Sequence, residues 1–263
     1  MRYRATLAYD GTAYEGFQRQ REGHPSVQAA VEAAIAAVTG QRVAVIGAGR
    51  TDTGVHATGQ VIAFEVEWAH ADEALLRALN AHLPPDIAVQ AIAQADARFH
   101  PRFSATARLY RYEVYAAQHR HPLNRARAWH VSSALDGEAM RQAAALLPGT
   151  RDFGAFGKPP GSGAGYDETT VRTVYRSEWE TPHAHLNGLL WTYHIEANAF
   201  LQHMVRRIVG MLVDVGRGAQ TVAAFDEAMR RAVLVSRWTI APPQGLTLVQ
   251  VRYDERVETP AGE

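Results

Sequence analysis

An α+β fold made of two βαββαβ halves follows from three features of the sequence. Segments of period-two alternation are interleaved with segments of helical period. The same order of segments recurs in the second half without recurrence of the residues themselves. The chain's 263 residues, 47% of them hydrophobic, are enough for a substantial core. In the first half, residues 2–9 alternate with Tyr3, Ala5, Leu7 and Tyr9 on one face, the mark of a half-buried strand. Val27, Val31, Ile35 and Val38 recur at helical spacing behind Ser26, a good N-cap. Residues 43–46 and 60–67 read as two strands. Leu75, Leu76 and Leu79 place a second helix that Pro84 and Pro85 stop, and residues 86–93 read as the next strand.

The second half repeats this order. Tyr110, Tyr112 and Val114 share one strand face, and a helix over 136–147 is ended by Pro148. Strands over 171–180 and 189–197, a helix over 200–215, a further helical stretch over 221–232 and a strand over 246–253 follow. Two ferredoxin-like halves are implied, residues 1–104 and 105–263. Residues 157–165, GKPPGSGAG, are expected to form a mobile surface loop.

With no cysteine, disulfides, thiolate nucleophiles and Cys-ligated zinc are excluded. No leader-like opening and no apolar run of membrane-spanning length are present, so a cytoplasmic protein without membrane association is expected. Positive and negative side chains balance, 27 against 27, but the distribution is uneven. Between residues 98 and 130, Arg98, Arg102, Arg108, Arg111, Arg120, Arg125 and Arg127 face a single acid, Glu113. Such a stripe suits phosphate contacts, and a solvated basic face is the alternative.

Residues 47–60, GAGRTDTGVHATGQ, form the most informative segment. Its glycines allow sharp turns and close approach, and it is too polar for core. Asp52, beside Arg50, is the candidate working residue. By itself an aspartate in such a loop reads as an Asx-turn acceptor, and His56 as a structural histidine. The GAG is not a dinucleotide fingerprint, because it leads into a strand and lacks the third glycine. No Walker-type lysine motif occurs.

The string GRTDTGVHA resembles the signature loop of the TruA family of tRNA pseudouridine synthases. Matching segments follow along most of the chain: YDGTAYEGFQRQ at 9–20, NAHLPPDI at 80–87, RFSATARLYRYEVY at 102–115, FLQHMVRRIVGMLVDVG at 200–216 and GLTLVQV at 245–251. The resemblance implies an extended antiparallel sheet with helices on one side and a central cleft. It implies isomerisation of uridine to pseudouridine at tRNA positions 38, 39 and 40 in the anticodon stem-loop, and a homodimer in which one subunit orients the tRNA for the other. Asp52 becomes the nucleophile at C1′ or the base that removes the 2′-proton. No metal, nucleotide or redox cofactor is needed for that chemistry.

Other roles follow from the same resemblance. Arg206 becomes the ion-pair partner of Asp52, lowering its pKa. On a helical wheel begun at Phe200, Phe200, Met204, Ile208, Met211 and Val215 share the apolar side. Arg206 lies opposite with Gln202, His203 and Gly210, where an arginine would otherwise be merely solvated. Tyr110 stacks on the target base and helps take its C5 proton, Leu246 forms an apolar wall, and Arg50 braces the gap left by a flipped nucleotide. Tyr112 is assigned to the core, the commoner use of a strand tyrosine. Arg102, Arg108 and Arg111 are expected to contact phosphates.

Gln18 and Gln20 are expected to order the cleft. Arg151-Asp152-Phe153 stands where the family often reads His-Asp-Phe, which removes any histidine-specific role there. Two other classes compete. A non-catalytic RNA-binding protein built from two sheet modules is opposed by the intact GRTD loop. An Asp-dependent glycosidase is opposed by the lack of a second carboxylate in a comparable loop.

Overall fold

The computed structural model describes residues 1–21, 23–159 and 169–254. The fold is α+β. The chain divides into two compact units, residues 1–108 with 247 onward, and residues 109–246.

The first unit opens with β1 (Arg2–Tyr9), α1 (Val27–Thr39), β2 (Ile46–Gly47), β3 (His56–Glu65), α2 (Asp72–His82) and β4 (Ile87–Gln94). β1 is central: Tyr3 pairs with Phe64 of β3 and with Gln94 of β4, both antiparallel. β2 joins the far edge of β3, Ile46 opposite Ala63, giving the order β4-β1-β3-β2 of a ferredoxin-like sheet. The alternation of β1 is realised, with Tyr3, Ala5, Leu7 and Tyr9 all buried. The Ser26 hydroxyl caps α1 by accepting Ala29 N at 3.3 Å, and Gly40 in the left-handed region ends it. Asp72 and Glu73 in the first turn of α2 complement its dipole. Leu83, ahead of Pro84, is driven to extended backbone and stops the helix.

The second unit contains most of β5 (Ala105–Ala116), then β6 (Trp129–Val131), α3 (Gly137–Ala144), β7 (Gly149–Asp152), β8 (Val171–Trp179), β9 (His183–His185), β10 (Gly188–Ala197), α4 (Met204–Gly216) and α5 (Val222–Arg231). Its strand order is β5-β10-β8-β7, with β6 parallel to β5 and β9 paired to β10. Helix packing is close: a side chain on Gly216 of α4 would meet the Met140 sulfur of α3 at 2.6 Å. Phe225 of α5 lies 5.7 Å from Phe156. The last strand, β11 (Leu246–Tyr253), enters the first unit, where Thr247 and Leu248 pair parallel to His56 and Ala57. Gly59 permits this, since a Cβ there would fall 2.1 Å from Val249 O.

Several boundaries differ from the sequence expectation, each for a stated reason. The helix expected over 200–215 begins at Met204. His203 is left-handed at φ 61°, and Gln202 pairs outward, its N–H donating to Lys158 O at 2.9 Å. The helix expected over 136–147 keeps Asp136 as its cap but ends at Ala144, after which Leu146 and Leu147 bond back three residues, tightening the last turn. The strand expected over 43–46 is reduced to Ile46–Gly47 because Val45 N is taken by a side chain, Glu32 Oε1 at 2.9 Å. The strand expected from 60 begins at His56. β6, β7 and β9 are too short for periodicity to reveal. Of the expected 157–165 loop, residues 160–165 lie outside the described residues. No described helix is long and apolar enough to cross a membrane.

Candidate active site

The loop over 48–55 joins β2 to β3, and neighbouring backbone fixes it at both ends. Ala48 N donates to Val61 O at 2.8 Å, and the buried Gln60 donates through Nε2 to Gly49 O at 2.9 Å. From the other side, the Thr51 hydroxyl lies 2.8 Å from the Tyr9 hydroxyl, and Thr51 O accepts Phe17 N at 3.1 Å. Burial pushes the Tyr9 phenol up to about 12, so it remains a neutral hydrogen-bonding group. Val55 N then donates to Asp52 O at 3.1 Å, closing a turn in which Gly54 takes φ 76°. A Cβ on Gly11 would fall 2.0 Å from Val55 O, and one on Gly16, itself at φ 103°, 2.7 Å from Thr51 O. A methyl group at either glycine would displace the backbone that carries Asp52. Asp52 is half-buried at this turn and Arg50 is exposed. His56 is buried, its Nδ1 accepting Gly11 N at 3.0 Å, which ties the ring to the 10–12 turn.

A carboxylate that the sequence reading passed over braces the segment that leads into β2. Glu32 on α1 is 7% exposed, and its Oε1 accepts Val45 N at 2.9 Å and Gln28 Nε2 at 2.8 Å, while its other oxygen pairs with Arg19. Gln28 also donates to Val45 O at 3.1 Å and accepts Arg19 N at 2.9 Å. The visible signal was an acid between Val31 and Ile35 on the apolar side of the helix. Glu32→Ala would orphan the Val45 N–H and remove one of the two acceptors of Gln28 Nε2, so a loss of about 1–3 kcal/mol in unfolding free energy is expected, read from the urea midpoint.

Arg108 belongs to the same support. Its guanidinium donates to the carbonyls of Arg102 at 2.7 Å, Ala48 at 3.3 Å and Ala105 at 3.3 Å, tying the start of the Asp52 loop to the turn before β5. Arg102 stands in that turn, its guanidinium 5.6 Å from the Phe103 ring centroid. Arg111, in the second unit, pairs with Glu113 at 3.7 Å.

The second unit carries Tyr110, Arg206 and Leu246. Tyr110 is half-buried, edge-on to Phe200 with centroids 5.1 Å apart. Tyr112 is fully buried, and its hydroxyl donates to Pro242 O at 2.6 Å. Burial raises its pKa well above the ordinary phenol value, opposed by the Arg206 charge. The two tyrosines therefore differ in burial, Tyr110 half-buried and Tyr112 consumed by the core.

Arg206 corrects the helical-wheel reading. Gln202 and His203 precede α4, and Gly210, expected on a solvated stripe, is buried with room for no side chain, since a Cβ would lie 2.0 Å from Thr239 O. Residues 239–242 cover that face. Arg206 Nε donates to Ala241 O at 2.9 Å and Ala241 N donates to Arg206 O at 3.0 Å. Asp214, buried in α4 and also passed over, accepts Thr239 N at 2.9 Å and Thr239 Oγ1 at 2.8 Å. The strap continues through the 3₁₀ turn Pro243–Gly245 into Leu246, which is buried. Arg206 and Leu246 are thus placed by one segment, pinned by Asp214 and Tyr112.

Compared with known proteins, residues 5–104 and 143–254 match the family model described as tRNA pseudouridine synthase. The chain belongs to the tRNA pseudouridine synthase family. The first matched stretch contains Arg50, Asp52 and Arg102, the second Arg206 and Leu246, while Tyr110, Arg108 and Arg111 fall between them. The chain is 41% identical over 254 residues to the tRNA pseudouridine synthase A of Neisseria meningitidis serogroup B, covering 97% of this chain and 92% of that protein. It is 43% identical over 252 residues to the protein of the same name from Neisseria gonorrhoeae, covering 96% and 92%. The Geobacter sulfurreducens protein of that name is 42% identical over 247 residues, covering 94% and 97%.

Proposed function

We propose that this chain isomerises uridine to pseudouridine in the anticodon stem-loop of tRNA, at positions 38, 39 and 40, with Asp52 as the reacting carboxylate. The observation that carries this reading is the GRTDTGVHA loop, held by Tyr9, Gly11, Gly16 and Gln60 so that its single carboxylate sits at a braced turn. Asp52 acts at the ribose, as nucleophile at C1′ or as base at the 2′-carbon, while the N1–C1′ bond breaks. The base turns within the site and rejoins through C5; the C5 proton leaves and N1 gains one, so the product is an isomer. Arg206 is proposed as the ion-pair partner of the carboxylate, Tyr110 is proposed to stack on the base and help remove the C5 proton, and Leu246 to wall the apolar side. A base in a paired stem must leave its stack to react. Arg50, flat and able to stack and donate together, fills the gap.

Purified protein incubated with unmodified tRNA and no added cofactor is expected to give pseudouridine, located by carbodiimide modification and primer extension. Release of uracil would instead indicate a glycosidase, and binding without product a passive RNA module.

A folded tRNA exceeds a single site, so the reading includes a cytoplasmic homodimer in which each subunit orients the substrate of the other. Light scattering that finds only monomer at working concentration removes the shared-substrate arrangement. Arg102, Arg108 and Arg111 lie along the phosphate path. Because Arg108 also holds three carbonyls, Arg111→Glu is the cleaner test. It is expected to weaken tRNA binding and to flatten the dependence of log affinity on log salt by about one unit. An unchanged slope moves the RNA path away from this segment.

A further inference from the structure

We infer that Phe103, presented on a rigid turn with His100, is a stacking platform for an unpaired nucleobase of the bound tRNA; the inference rests on tRNA being the substrate. Phe103 is 59% exposed, and one face of its ring already lies on the imidazole of His100, with centroids 4.2 Å apart and planes 30° from parallel.

The turn beneath this pair is fixed at almost every residue. His100 O accepts Ser104 N at 2.9 Å, and His100 N donates to Ser104 Oγ at 3.2 Å. The amides of Arg102 and Phe103 both donate to His100 Nδ1, at 3.2 and 3.3 Å, which sets the orientation of the ring. Phe99 O accepts Arg2 Nε at 2.7 Å, Pro101 O accepts the Tyr253 hydroxyl at 2.8 Å, and Arg102 O accepts Arg108 at 2.7 Å. Burial and the nearby charge of Arg2 hold the His100 pKa below its ordinary value, leaving a neutral aromatic support near pH 7.

A turn this constrained holds the Phe103 ring in water while Phe99 is buried, where a looser turn could fold the ring back. The occupant follows from the neighbours. Arg102 lies over the ring, its guanidinium 5.6 Å from the centroid, and Arg98 and Thr106, near the ring in sequence, are exposed. An exposed aromatic ring with a guanidinium against it suits a base and its phosphate, and such stacking tolerates any base.

The test is equilibrium binding of unmodified tRNA to the full-length protein. Phe103→Ala is expected to raise Kd about tenfold, within the range measured for loss of one stacked base. Phe103→Leu should do the same, because it keeps apolar bulk without a π-face, and Phe103→Tyr should bind like the wild type. Since the ring is exposed, the urea midpoints of all three should match the wild type. A Kd for Phe103→Ala within twofold of the wild type, or wild-type affinity in Phe103→Leu, overturns the platform. So does a lower oligomeric mass in Phe103→Ala, which would show the ring seated against a second copy. Binding alone decides this, whether or not pseudouridine forms, so failure of the catalytic reading would be seen separately as product loss with the Kd ratios intact.

Discussion

Asp52→Asn is expected to abolish pseudouridine formation, by about a thousandfold or more, while folding and tRNA affinity persist. The substitution keeps size and most hydrogen-bonding capacity but removes the negative charge and with it the proposed nucleophile or base. Folding should survive because the loop is held through other groups: Thr51 on Tyr9 and Phe17, Gly54 on Tyr14, Ala48 on Val61. Turnover is read by carbodiimide modification of tRNA and affinity by filter binding. Appreciable residual turnover, with contaminating host enzyme excluded, would sink the assignment. A collapse of the urea midpoint would mean that the carboxylate is chiefly a loop brace, the Asx-turn role that the sequence also allows.

The second large effect separates two tyrosines on one strand. Tyr110→Phe is expected to keep tRNA affinity and lose rate in single-turnover assays, since only the hydroxyl proposed to help remove the C5 proton is gone. Tyr110→Ala should lose both rate and the stacking contact, the latter worth about 1–3 kcal/mol. Tyr112→Phe should behave differently. Its hydroxyl donates to Pro242 O in the interior, so its loss should lower unfolding free energy by about 1–3 kcal/mol and leave chemistry little changed at temperatures where the protein is folded. Equal kinetic effects at both positions would mean that Tyr110 is as structural as Tyr112.

Much of this was legible in order along the chain because the signals are local. The alternation of Tyr3, Ala5, Leu7 and Tyr9, the Ser26 cap and the stop ahead of Pro84 each depend on a few adjacent residues, and the structure realises them. Where local signals compete with distant partners, the reading shifts. The α4 boundary moved because Gln202 is engaged by Lys158, forty-odd positions earlier in sequence, and because His203 adopts a left-handed backbone that no pattern announces. The 43–46 strand was cut back to Ile46–Gly47 by a glutamate on α1, since a side-chain acceptor can take the amide that a ladder would have used.

By itself, then, the sequence determined the α+β class, the order of the principal elements, the family and the loop that carries Asp52, because periodicity, capping and motif chemistry are written in contiguous residues. Only the tertiary structure decided what covers each polar face. It buried Glu32 and Asp214, turned Arg108 into a clamp on three carbonyls, and laid residues 239–242 along the side of α4 that a helical wheel assigns to solvent. The physical reason is that a helix or strand fixes the direction of its own side chains. Whether a carboxylate or guanidinium there meets water, a carbonyl or an amide depends on segments far away in the chain, and the cost of burying a polar group unpaired selects those partners only once the chain has folded.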